Sequence, residues 1–124
     1  VEVEIDKGRF YSSKKLNYPM IKALWQNYVD LGAPVSDWEE SANSIPMAST
    51  DYGDVSQVVP SAGSYIGIAP AGTPGHSIQL ADASMTKKGL DAMIVGTKAL
   101  GMTLVELLAK PEILVEAKEY FDSH

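Results

Sequence analysis

The longest coherent hydrophobic pattern in the chain lies over residues 86–109. There Leu90, Met93, Ile94, Thr97, Leu100, Gly101, Leu104, Val105 and Leu108 recur three and four positions apart. That spacing returns to one side of a 3.6-residue helix, so it predicts a long helix with this stripe turned to the core. Gly89, Gly96 and Gly101 lie within it, and each costs up to about 1 kcal/mol relative to alanine, which close packing of the helix on a sheet would offset. A second stripe of Met20, Ala23, Leu24, Tyr28 and Leu31 predicts a helix over residues 19–31. Pro19 suits its first turn, and Gly32 followed by Pro34 stops it. Ser36 and Glu39 have the spacing of a capping box and predict a short helix after them. Pro111 breaks or restarts the long helix, leaving an amphipathic turn or two over residues 112–121.

Three segments carry the shorter period of strands. Val1, Val3 and Ile5 alternate with Glu2 and Glu4, which reads as a half-buried strand at a chain start that has no methionine, turn or cap. Residues 43–53 suit a strand leading into a loop, with Ile45 and Met47 among small polar residues. Residues 64–69, with Tyr65, Ile66 and Ile68, read as a buried strand ended by Pro70, Ala71 and Gly72. The expected fold class is therefore α/β, with few strands and one dominant long helix.

Composition narrows the function classes. The 124 residues fit one domain able to bury an ordinary core, and 45% hydrophobic with 21% charged residues is a globular balance. A net charge of −6 offers no footprint for a phosphate backbone, so nucleic acid is not an expected partner. There is no cysteine, which removes disulfides and thiolate metal sites and leaves the compartment open; a cytoplasmic location is expected. No run of apolar residues approaches the roughly 20 needed for a membrane span, and no membrane contact is expected.

Candidate chemistry sits between the apolar segments. His76 lies in a loop with Gly72, Thr73, Pro74, Gly75 and Ser77 ahead of the long helix. An imidazole there suits a divalent metal or proton transfer, and a surface histidine is the plain alternative. Asp51 and Asp54, with Ser49, Thr50 and Ser56 around them, could hold a metal or orient a ligand, or could serve as turns and helix caps. Gly72 and Gly75 would let backbone N–H groups approach a carboxylate or oxyanion, and would equally suit a tight turn. Tyr18, Trp25, Tyr28 and Trp38 are expected in the core and at interfaces. No phosphate-binding or dinucleotide glycine pattern, paired-histidine zinc motif or nucleophile elbow occurs.

In order along the chain, residues 48–60 (ASTDYGDVSQVVP), Tyr65-Ile66-Gly67, Gly72-Thr73-Pro74-Gly75-His76-Ser77 and Lys98-Ala99-Leu100-Gly101-Met102-Thr103 resemble the C-terminal part of the M20 metallopeptidase and amidohydrolase family. The branch most resembled contains p-aminobenzoyl-glutamate hydrolase and similar N-acyl amino acid hydrolases. The likeness covers residues 18–124. It implies that residues 1–17 are the tail of a lid and dimerisation domain and residues 18–124 the C-terminal portion of a catalytic domain. It further implies a reaction in which water activated between two divalent metal ions, zinc or manganese, hydrolyses the amide bond of an N-acyl amino acid or dipeptide. On this resemblance His76 matches a metal ligand, and Thr50, Asp51, Gly72, Thr73, Gly75 and Ser77 lie beside a small-molecule amide substrate.

The resemblance places the general base and the other metal ligands in sequence motifs that these residues do not contain. No catalytic residue is therefore expected here, and one imidazole should hold metal weakly. Relatives carry histidine where this chain has Gln57, and some carry one near Gly63. The alternative is a non-catalytic binding or assembly module. On either reading, association through exposed apolar surface, a homo-oligomer included, is expected.

Overall fold

The computed structural model describes residues 2–4, 8, 10–38, 40 and 50–124. Five helices with described bounds appear in order: α1 (Tyr18–Asp30), α2 (Tyr52–Ser56), α3 (Ile78–Ser84), α4 (Lys87–Ala109) and α5 (Pro111–Ser123). Trp38 and Glu40 are also helical, where the short helix after Ser36 was expected; Glu39 of the proposed capping box lies outside the described residues.

The helix boundaries follow local chemistry. Asn17 caps α1 by accepting from the Met20 amide at 3.2 Å, with Pro19 in the first turn. At the other end Gly32, at φ +69°, lets its own amide reach Val29 O at 2.8 Å and the Ala33 amide reach Tyr28 O at 3.0 Å. This double bond pattern around a left-handed glycine closes the helix. Thr86 caps α4 through the Gly89 amide at 3.2 Å, so the 23-residue helix begins where its pattern predicts. Pro111 restarts the chain as α5, which runs to Ser123 and exceeds the expected turn or two.

The α/β expectation is overturned: the described residues form helices and no strand. Glu2, Val3 and Glu4 are exposed and unpaired in any ladder, and Val1 and Ile5 lie outside the described residues. Of the segment expected over residues 43–53, the first seven residues lie outside the described set and Tyr52 and Gly53 are helical. Residues 64–69 pair with no neighbour, leaving Tyr65 and Ile66 exposed. The physical reason is shared. A strand's amides and carbonyls are satisfied only by another strand, and alternating apolar residues carry no partner of their own.

The core lies between α1 and α4. Leu24 and Tyr28 of α1 pack on Ala99 of α4, with Leu31, Ala33, Ala62 and Val95 around them. Gly96 lies beneath the Tyr28 hydroxyl, 3.6 Å from where a Cβ would stand. That hydroxyl shares a 2.8 Å hydrogen bond with Ser64, which ties the chain at 61–64 to α1. One turn along, buried Asn27 donates to Thr103 Oγ1 at 3.0 Å and to Glu106 Oε2 at 3.2 Å, and Thr103 donates back to Ala99 O at 2.8 Å. At Gly89 a Cβ would stand 2.6 Å from Ser84 O, so α3 and α4 meet backbone to backbone. These contacts are the close packing foreseen for Gly89 and Gly96, made on helices and not on a sheet. Gly101 has open space around it.

The stripe of large aliphatics on α4 therefore faces the other way from the expectation. Gly89, Ala99 and Thr103 are buried, whereas Leu90, Met93, Ile94, Leu100, Leu104, Val105 and Leu108 are exposed. Small side chains let α1 approach closely, and the large ones occupy the opposite side of the same helix. With apolar residues on both sides, α4 is long and apolar enough by length and composition to cross a membrane, which corrects the expectation that nothing here approaches that length.

α5 is anchored through Asn17, which is 1% exposed and donates from Nδ2 to Ala117 O at 2.8 Å. Tyr18 meets Trp38 and Tyr120 edge-on at 6.0 and 5.6 Å, and the Lys15 ammonium lies 3.7 Å from the Phe121 ring centroid. Asn17→Ala removes both the α1 cap and the partner of a buried carbonyl. It is expected to lower unfolding free energy by about 2–3 kcal/mol in urea titration.

The Glu106 carboxyl is held below its ordinary range, first by the hydrogen bond from Lys110 and secondarily by Asn27, against burial, which raises it. A depressed acid contributes stability that is present above its unfolded pKa and is lost as pH falls through the folded one. Stability should therefore drop with acidification, and Glu106→Gln should flatten that slope; an unchanged slope in urea titrations across the acid range would refute the role.

Candidate functional site

The loop carrying His76 is built by its own hydrogen bonds. The Thr73 amide reaches Pro70 O at 3.2 Å and its hydroxyl donates to the same carbonyl at 2.8 Å. Gly72, at φ +84°, occupies the third position of that turn, which only glycine takes without strain. Ser77 donates to Pro74 O at 2.7 Å and accepts from the Leu80 amide at 3.1 Å, capping α3. The Thr73 and Ser77 hydroxyls are thus engaged in shaping the loop.

His76 itself is exposed and has φ +53°, the one described non-glycine residue in the left-handed region. A left-handed side-chain-bearing residue costs roughly 1–2 kcal/mol, and the tight passage from Gly75 into the Ser77 cap imposes it. With Gly75 and Ser77 it borders a shallow hollow lined by Ile68, Leu80, Ala81 and Ser84. Among the described residues no three of His, Cys, Asp and Glu gather as a metal site requires. His76 by itself therefore does not fit a two-metal centre.

Thr50 and Asp51 lie elsewhere, at the start of α2. Thr50 Oγ1 accepts from the Tyr52 amide at 3.3 Å, and Asp51 O accepts from the Asp54 amide at 3.0 Å. Thr50 borders a separate and larger apolar groove of about 900 Å³, between α1 and residues 61–67. The structure thus groups Gly75, His76 and Ser77 at one hollow and places Thr50 at another.

The α2 segment is bound to the chain before α1 by contacts no local pattern announces. Asp54 Oδ1 accepts from the Ser12 amide at 2.8 Å, which holds this carboxyl below its usual range. Ser56 Oγ accepts from the Lys15 amide at 2.9 Å and donates to Gly53 O at 2.6 Å. Gln57 Nε2 donates to Ser13 O at 2.8 Å. A Cβ at Gly53 would run into the Ser12 carbonyl, so glycine is required there by close approach. Asp54 and Ser56 therefore take the structural alternative left open for them.

At the groove, the Lys14 ammonium donates to the Tyr65 hydroxyl at 3.2 Å and lies 5.2 Å from that ring's centroid. Burial pushes the Tyr52 hydroxyl above its ordinary pKa, with Ser61 opposing. The Ser61 proton points to Val59 O at 2.9 Å, which leaves the Tyr52 oxygen without a hydrogen bond of ordinary geometry. Lys14, Tyr52 and Tyr65 were not foreseen as site residues. Their meeting depends on residues far apart in sequence.

With this geometry in place, the chain proves similar to a Xaa-Arg dipeptidase of Homo sapiens, 31% identical over 103 residues. The match takes in 81% of this chain and 23% of the human protein, so the chain spans about a quarter of the length of the curated relative it matches. No family model matches the sequence, and no solved structure does.

Two substitutions probe the α2 region in opposite directions. Tyr52→Phe, which removes an unbonded buried hydroxyl, should leave the melting temperature unchanged or raise it, by the equivalent of up to about 1 kcal/mol. Gly53→Ala should lower it sharply, because the Ser12 backbone has to move; thermal denaturation followed by circular dichroism distinguishes the two.

Proposed function

We propose that the chain is the C-terminal portion of a metal-dependent amidohydrolase or peptidase of the M20 type. Its substrate is the amide bond of an N-acyl amino acid, such as an aminobenzoyl-glutamate, or of a dipeptide. The observation that carries this reading is the 31% identity to a dipeptidase over 103 residues, a span large enough to include most of the described chain. His76 serves as a metal ligand in the intact enzyme, which is cytoplasmic and takes two divalent ions, zinc or manganese. Thr50, Asp51, Gly72, Thr73, Gly75 and Ser77 lie beside the substrate there. The left-handed backbone of His76 is consistent with a side chain held in place at some conformational cost.

The remaining metal ligands and the general base belong to other parts of that enzyme, because the described residues gather no metal cluster. One imidazole cannot offset the dehydration of a divalent ion, so these 124 residues alone are inactive. A second reading, a binding or assembly module without chemistry, is favoured by one feature, the exposed aliphatic face of α4. Metal titration and turnover separate the two.

In the full-length polypeptide, His76→Ala should weaken zinc or manganese binding by at least tenfold, judged by calorimetry, and abolish hydrolysis of an acyl-glutamate or dipeptide. His76→Gly should do the same while holding or raising thermal stability, since glycine relieves the left-handed strain. Unchanged metal affinity in both variants, or acyl-glutamate hydrolysis by the 124-residue chain alone, would refute the assignment.

A further inference from the structure

The outer face of α4 has the properties of an interior surface. Leu90, Met93, Ile94, Leu104, Val105 and Leu108 share one side of the helix and stay between 46% and 73% exposed. Together they present roughly 700 Å² of mostly aliphatic surface, more than the roughly 300–600 Å² of the largest patch on a typical monomer. The opposite side is already packed, with Ala99 fully buried against Leu24 and Tyr28. A helix apolar on both sides belongs inside a core, with layers on either flank.

Three occupants have the right chemistry: lipid, a second copy, or a further part of the same polypeptide. Lys98 stands exposed midway along the helix, where an ammonium is expensive at the centre of a bilayer. A two-fold pairing covers one patch, yet apolar side chains are exposed on several elements at once: Val55 on α2, Val58 and Val59 after it, and Leu114 and Val115 on α5. The matched relative is longer by about fourfold, since the alignment takes in 23% of it. We propose that the outer face of α4 is an intramolecular interface, covered by a layer of the same polypeptide lying outside these 124 residues. The inference rests on the reading of the chain as part of a longer hydrolase.

The chain contains no cysteine, so an introduced thiol is unique within it. In the polypeptide encoded by the complete reading frame, Leu104→Cys and Leu108→Cys would be treated with a maleimide and followed by peptide mass spectrometry. Glu119→Cys, on exposed α5 surface, is the reference. The α4 thiols should react at least a hundredfold more slowly than in guanidinium-unfolded protein, at every protein concentration, while the reference reacts at a similar rate in both states.

Fast labelling of folded protein would overturn the proposal. Protection that grows with protein concentration would assign the face to a second copy, and protection that needs phosphatidylcholine vesicles would assign it to a membrane; either also overturns it. Should the thiol substitutions themselves unfold the protein, hydrogen exchange of the unsubstituted full chain gives the same reading. α4 amides exchanging as slowly as the most protected ones support an interior position, and exchange near that of exposed loops refutes it. The hydrolase reading fails separately: protected thiols in a protein with no metal-dependent turnover would sink that reading, whereas labelled thiols in an active enzyme would sink this one.

Discussion

The close approach of α1 to α4 is the constraint on which the other contacts depend. It requires small side chains on α4, with Gly96 under the Tyr28 hydroxyl and Ala99 against Leu24 and Tyr28. It also requires that the polar groups caught at the seam be satisfied, which Asn27, Thr103 and Glu106 achieve among themselves. A larger residue at Ala99 would separate the helices, and an apolar one at Asn27 would leave the Thr103 and Glu106 oxygens without this donor. The seam is narrow and specific because its residues are small and its hydrogen bonds are directional.

From that seam the remaining elements are placed by single ties. Asn17 joins the start of α1 to the middle of α5, Tyr28 reaches Ser64, and Gly89 brings α3 against the first turn of α4. The segment over residues 12–15 is fastened to α2 by Asp54, Ser56 and Gln57. Each tie is a polar contact of modest individual strength, and few large side chains are buried. The molecule is thus held by geometry and capping more than by a broad aliphatic core, whose natural material lies on the outside of α4.

This arrangement explains why the candidate site is incomplete as a chemical centre. His76 is positioned by the turn at Gly72 and the cap at Ser77, both local, and the loop that presents it is well defined. What a metal centre adds is convergence of several ligands from distant segments, and no such cluster forms among the described residues. The large groove, by contrast, brings together Lys14, Tyr52 and Tyr65 from three separated parts of the chain. Neither depression contains both Thr50 and His76, although the resemblance assigns the two to one substrate region.

Sequence alone determined what depends on near neighbours. The start of α4 at the Thr86 cap, the end of α1 at Gly32 and the restart at Pro111 were legible because capping, left-handed backbone and the missing proline amide act within a few residues. The helical period of α4 was legible too, since it is a property of the backbone. Which side of α4 is buried was not, because the large stripe and the small one have the same period, and only the presence of α1 decides between them. The expected strands failed for the same reason: alternation states what a strand would bury, and pairing depends on a partner that these residues do not contain. The meeting of Asp54 with Ser12, and of Lys14 with Tyr65, likewise came from tertiary structure alone, since contacts across some forty or fifty residues leave no periodic trace in the sequence.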